Sequence, residues 1–160
     1  MPHPFPARRA ARFLCALALA GAAAQAPAQT GFDPGDPREV LEIAKGYGSA
    51  SLETYGEGKL KVDARMEGRR YGIYFYGCTS GRQCSSLQFS WGIDKKGVPL
   101  AKINEWNRDK RFVKAYLDSE GDLMLEMDVN VAYGLTRKNL DDTFDWWRLG
   151  LKEFYATMMD

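Results

Sequence analysis

The chain has 160 residues, 45% of them hydrophobic and 12% aromatic, which is enough for one globular domain with its own core. Its 22 basic and 21 acidic side chains nearly cancel to a formal charge of +1, leaving no basic stripe for nucleic acid and no polybasic patch for a membrane surface. The single histidine, His3, confines imidazole chemistry to the extreme N-terminus.

That N-terminus reads as a signal peptide over residues 1–28. Arg8, Arg9 and Arg12 precede an apolar run from Phe13 to Ala24, and Ala26-Pro27-Ala28 gives the pattern a signal peptidase cleaves. The run is far shorter than the roughly 20 residues of a membrane-spanning helix, so the expectation is removal, with no membrane anchor left behind. Arg8-Arg9 leaves general and twin-arginine export both open. Cys15 lies inside the run, not at its end where a lipid-bearing cysteine belongs. The expected product is periplasmic or secreted, cleaved after Ala28, free of histidine, and of net charge −2 once the three arginines are lost. Residues 29–35 read as a flexible linker and residues 36–160 as the domain.

Asp36-Pro37-Arg38-Glu39 opens a short first helix, with a capping carboxylate, proline at the first helical position and an acid three residues after the cap. Val40, Leu41, Ile43 and Ala44 form its apolar face, and Gly46 stops it. From Ser49 the period becomes two. Leu60, Val62, Ala64 and Met66 alternate with charges, between turns at Gly56-Glu57-Gly58 and Glu67-Gly68-Arg69-Arg70. The stretch from Tyr71 to Cys78 is aromatic on both faces, which predicts a central strand covered at least in part on both sides. Leu87, Phe89 and Trp91 alternate again, completing four consecutive antiparallel strands.

Pro99 begins a second short helix with Leu100, Ile103 and Trp106 on one face. Arg111–Leu117 and Leu123–Val131 form a further hairpin about Asp118-Ser119-Glu120-Gly121-Asp122. Thr136 then caps a last helix whose Leu140, Phe144, Trp147, Leu151, Phe154 and Met158 make one apolar stripe. The predicted architecture is α+β, an antiparallel sheet of about six strands with helices packed on it, in the order α-β-β-β-β-α-β-β-α.

Several segments carry a family resemblance. They are Trp91-Gly92-Ile93, Ile103-Asn104-Glu105-Trp106-Asn107, Arg111-Phe112 with Ala115-Tyr116-Leu117, Gly121-Asp122-Leu123 with Leu125-Glu126, and Gly134-Leu135-Thr136 with Asn139-Leu140. Together they resemble the YbjN domain family of bacteria, from about Gly46 to the end of the last helix. The resemblance implies a fold similar to type III secretion chaperones, small α+β proteins that often pair. It also implies a loosely defined regulatory role in sensory transduction, and it brings no catalytic residues. The export signal and the pair Cys78/Cys84 set this chain apart from cytoplasmic members.

The remaining constellations point away from catalysis. Cys78 and Cys84 bracket a glycine-containing turn between two strands, and in an oxidising compartment such a pair reads as a structural disulfide; it lacks the C-x-x-C spacing of a redox centre. Two sulfurs without histidine leave a zinc site half empty, so no metal is expected. Without histidine the common serine and cysteine triads are unavailable, and no serine has lysine three residues on. No nucleotide or phosphate loop appears, and no cofactor is expected. Glu126 and Asp128 share a strand face and would be the acids of a carboxylate-dependent hydrolase, one alternative reading. Asp118, Glu120 and Asp122 match a calcium loop poorly. The preferred reading is a non-enzymatic exported binding module that docks a protein, a peptide or a second copy of itself on an aromatic surface. Its candidate residues are Tyr74 and Tyr76 on the crowded strand, and Trp146 with neighbouring Tyr155 and Leu149 on the last helix. A small-ligand carrier with a pocket under that helix is the other alternative.

Overall fold

The carboxylate of Asp36 accepts a hydrogen bond from the Arg38 amide at 2.9 Å and opens α1 (Pro37–Lys45), which buries Val40, Ile43 and Ala44. Gly46 ends it with right-handed backbone (φ −66°), its N–H donating to Ile43 O at 2.9 Å. The computed structural model describes residues 31–159; the signal-peptide reading of residues 1–28 and its cleavage point lie outside the described residues. Phe32 to Gly35, expected as linker, instead pack on the domain. Phe32 contacts the core, Pro34 and Gly35 are buried, and Asp33 accepts from the Gly35 amide at 2.8 Å.

Alternation of apolar and polar residues then builds β1 (Ala50–Tyr55), β2 (Lys59–Met66), β3 (Arg69–Tyr76) and β4 (Ser86–Ile93). After α2 (Leu100–Asp109) come β5 (Lys114–Leu117), β6 (Leu123–Asn130) and α3 (Arg137–Met159), opened by the Thr136 hydroxyl accepting from the Asn139 amide at 3.1 Å. The six strands form one antiparallel sheet in the order β1-β2-β3-β4-β6-β5. This is the α+β architecture and element order that the sequence predicts.

Register keeps the apolar set on a single face. Val62, Ile73, Phe89 and Met127 are cross-strand neighbours in one row, and all four are buried. The helices cover that face. Phe89 meets Phe144 edge-on at 4.9 Å and Trp147 at 5.6 Å, while Trp91 and Trp106 both pack on Phe154. Each large side chain so buried contributes roughly 1.5–3 kcal/mol. The core also encloses Tyr71 Oη, Trp106 Nε1 and Trp147 Nε1 without a hydrogen-bond partner among the described residues.

Three expectations are corrected. Among the described residues no helix covers the opposite face of the sheet, so β3 is aromatic on both sides without being covered on both: Tyr71, Ile73 and Phe75 are buried, whereas Tyr74 is half-buried and Tyr76 exposed. Leu100 is 65% exposed, because spacing fixes a direction around a helix but not the presence of a neighbour opposite its first turn. The strand expected from Arg111 begins only at Lys114, after a tight turn at Phe112.

Candidate functional site

Exposed aromatic side chains cluster in two places, with Tyr133 alone in the turn after β6. The first lies beside α3, where the chain leaves α2. Lys110 closes that helix, and Val113 N–H donates to Arg111 O at 2.8 Å around Phe112, whose φ is +68°. A three-residue turn with positive φ at its centre is rare and strained, and a bulky phenylalanine is a costly residue to hold there. Neighbours on both sides fix it. Asn107 clamps β5 through its side-chain amide, donating to Ala115 O and accepting from the Ala115 N–H, both at 2.8 Å. On the other side Val113 is buried against Gly150 of α3. A Cβ at Gly150 would stand 2.8 Å from Val113 Cγ1, so only glycine permits this approach.

The turn delivers the Phe112 ring onto Trp146, with centroids 4.0 Å apart. Both rings remain open to solvent, Phe112 at 45% and Trp146 at 41%, and Leu149 on the next turn of α3 is 50% exposed. Between them runs a shallow groove of about 340 Å³, with Trp106 at its base and Glu153 at its rim. Lys110 is paired with Glu153. The Arg111 guanidinium lies 4.7 Å from the Phe112 ring and has no carboxylate within 4.0 Å among the described residues. The patch is therefore apolar with a cation at its edge.

The second place is the sheet face opposite α1, α2 and α3, and it is tied together by polar contacts. Tyr55 packs edge-on to Tyr74 at 5.3 Å, and Tyr76 donates to Gln88 Oε1 at 3.1 Å. The Gln88 amide donates to Glu126 at 3.3 Å and Asp128 at 3.1 Å, and Glu126 also accepts from Ser90 at 3.3 Å and Tyr116 at 3.0 Å. Burial, then the hydrogen bond to Glu126, pushes the Tyr116 phenol up to about 12; burial chiefly raises Tyr76 as well. Glu126, half-buried, and Asp128, exposed, are the candidate acids by spacing, and both accept from the one Gln88 amide. Among the described residues no three His, Cys, Asp or Glu side chains come together as a metal site, and no helix is long and apolar enough to cross a membrane.

The four aromatic residues chosen from sequence thus do not form one surface. Tyr74 and Tyr76 share the sheet face, while Trp146 lies across the domain with Phe112. Tyr155 is apart from both: nine residues beyond Trp146 it points to the opposite side of α3, at about 100° per residue. There it lies half-buried under the Arg69 guanidinium at 3.8 Å and beside Trp91. Cys78 and Cys84 are joined as a disulfide across the β3–β4 loop, and the Cys84 N–H donates to Gly35 O at 3.1 Å, holding the segment before α1. A Cβ at Gly35 would fall 2.4 Å from Cys84 O.

Residues 36–159 match the family model YbjN, described as "Putative bacterial sensory transduction regulator". No curated protein matches the chain. A solved structure, "Crystal structure of YbjN, a putative transcription regulator from E. coli", is similar at 17% identity and a TM-score of 0.48, over 76% of this chain and 84% of that one.

Proposed function

The chain belongs to the YbjN family, and from that premise we propose that its domain acts by binding rather than by catalysis, docking a partner protein on the Phe112–Trp146–Leu149 patch. The observation that carries this reading is the strained turn: Phe112 sits in left-handed backbone and yet leaves nearly half its ring in solvent. Strain that persists where it adds little packing is characteristic of binding and switch sites. Exposed aromatic rings beside an arginine have the composition of protein–protein hot spots. The partner segment should offer an apolar side chain to the groove and a carboxylate to Arg111. The sheet face is the weaker candidate, since Tyr76 is already engaged with Gln88.

In this reading the domain works in the periplasm or outside the cell after loss of residues 1–28, and the disulfide Cys78–Cys84 is consistent with such an oxidising compartment. A photocrosslinking residue in place of Leu149, in cells producing the full chain, tests the surface; a second at Tyr133, 100% exposed and away from the patch, is the control. A discrete adduct formed from position 149 alone, and lost in Phe112→Ala, is expected. Equal labelling from both positions, or an adduct indifferent to Phe112, refutes the docking surface. An adduct of twice the chain mass identifies the partner as a second copy.

A further inference from the structure

The β2–β3 ladder ends early. Its last pair is Lys61–Tyr74, and the pairs next in register, Leu60 with Phe75 and Lys59 with Tyr76, are not formed. All four residues remain in strands on their other sides, since β1–β2 pairing runs on to Tyr55–Lys59 and β3–β4 pairing to Tyr76–Ser86. The sheet is therefore parted between two central strands, and a cavity of about 560 Å³ occupies the parting. That is within the range of small-molecule sites, ~300–1,000 Å³.

Its lining combines two chemistries. Leu60 and Phe75 supply an apolar wall, and Tyr55 and Tyr76 supply aromatic rings. The Tyr76 hydroxyl donates to Gln88, and burial raises its pKa, so the ring stays neutral. Glu57 on the β1–β2 turn and Lys59 at the start of β2 place one negative and one positive charge on the same cavity. Neither has an opposite charge within 4.0 Å among the described residues. A ligand complementary to this lining has an apolar ring and carries both a cation and an anion.

We propose that the parted end of the sheet binds a free aromatic amino acid, its ring against Leu60, Phe75 and the tyrosines, its carboxylate toward Lys59 and its ammonium toward Glu57. The site shares no residue with the Phe112–Trp146 patch, so the two readings stand or fall separately.

The test is an NMR titration of the full chain with phenylalanine, with phenylpropionate, which lacks the ammonium, and with phenethylamine, which lacks the carboxylate. Saturable shifts at the Leu60, Phe75 and Tyr76 amides are expected, with phenylalanine tighter than either analogue by about tenfold, the worth of one charge-assisted contact. Lys59→Ala should remove the preference over phenethylamine, and Glu57→Gln the preference over phenylpropionate. Both positions are exposed, so neither variant threatens the fold. Absence of saturable shifts, shifts confined to other residues, or equal affinity for all three compounds overturns the proposal.

Discussion

The backbone at Phe112 supports a test in which the sign of the answer matters more than its size. At an ordinary position, glycine is less stable than alanine by roughly 0.5–1 kcal/mol because it gives up more freedom on folding. Left-handed backbone costs a residue with a Cβ about 1–2 kcal/mol, and glycine escapes that cost. Phe112 stands at φ +68°, so Phe112→Gly should unfold at higher denaturant than Phe112→Ala, by about 0.5–1 kcal/mol net, with an unchanged slope. Both variants lose the stack on Trp146, worth roughly 0.5–1.5 kcal/mol beyond area burial. The stack and the strain are thus of similar size, and stability alone gives little reason to keep an aromatic ring at this turn. Equilibrium unfolding in urea, followed by circular dichroism, measures the difference. If Phe112→Ala proves as stable as Phe112→Gly or more so, the turn is not strained and the case built on it fails.

Other consequences follow from the core, the loop and the phenols. Tyr71 is 3% exposed and its hydroxyl has no partner among the described residues, so Tyr71→Phe should stabilise the domain by about 1 kcal/mol; a loss of stability in urea unfolding would show the hydroxyl to be bonded. Reduction of Cys78–Cys84 should lower the unfolding free energy by roughly 2 kcal/mol on loop entropy, and Cys78→Ser with Cys84→Ser should reproduce that loss, measured with and without reductant. Tyr47 and Tyr116 both have folded-state pKa values raised from 10 to about 12, chiefly by burial, so the folded state holds protons that the unfolded chain has released. Their contribution is complete below pH 10 and is lost as pH rises toward about 12; unfolding across that window should show stability falling, and Tyr116→Phe should flatten the decline.

What could be read from the chain itself was whatever rests on repetition or on local capping. The alternation through Leu60, Val62, Ala64 and Met66, the stripe from Leu140 to Met158, and the Asp36 and Thr136 caps are physical rules that act within a few residues, and all appear in the fold. Features that depend on distant neighbours were not legible. Nothing local marks Phe112 for positive φ, since the turn is held by Asn107 from one element and Gly150 from another. The alternation of β2 includes Leu60 as readily as Val62, yet only the pairing with β3 decides that Leu60 borders a cavity. The pair Trp146-Trp147 points to Trp146 as a border residue of the α3 stripe, because adjacent positions lie about 100° apart around a helix. Its companion is not legible, because position around the helix offers Tyr155 and Leu149 as neighbours while the ring that meets Trp146 comes from outside the helix. Asn107 carried no chemical signal, and its role as a clamp on the short edge strand appears only with β5 in place.

The proposed function depends on which aromatic surface a partner uses. The most direct measurement is the dissociation constant of the crosslinked partner, once isolated, for Phe112→Ala and for Tyr76→Ala beside the unaltered chain. Loss of a hot-spot ring costs about 2 kcal/mol or more, so Phe112→Ala should weaken binding by roughly 30-fold while Tyr76→Ala leaves it within about twofold. The reverse order would move the binding surface to the open sheet face and contradict the reading of the strained turn.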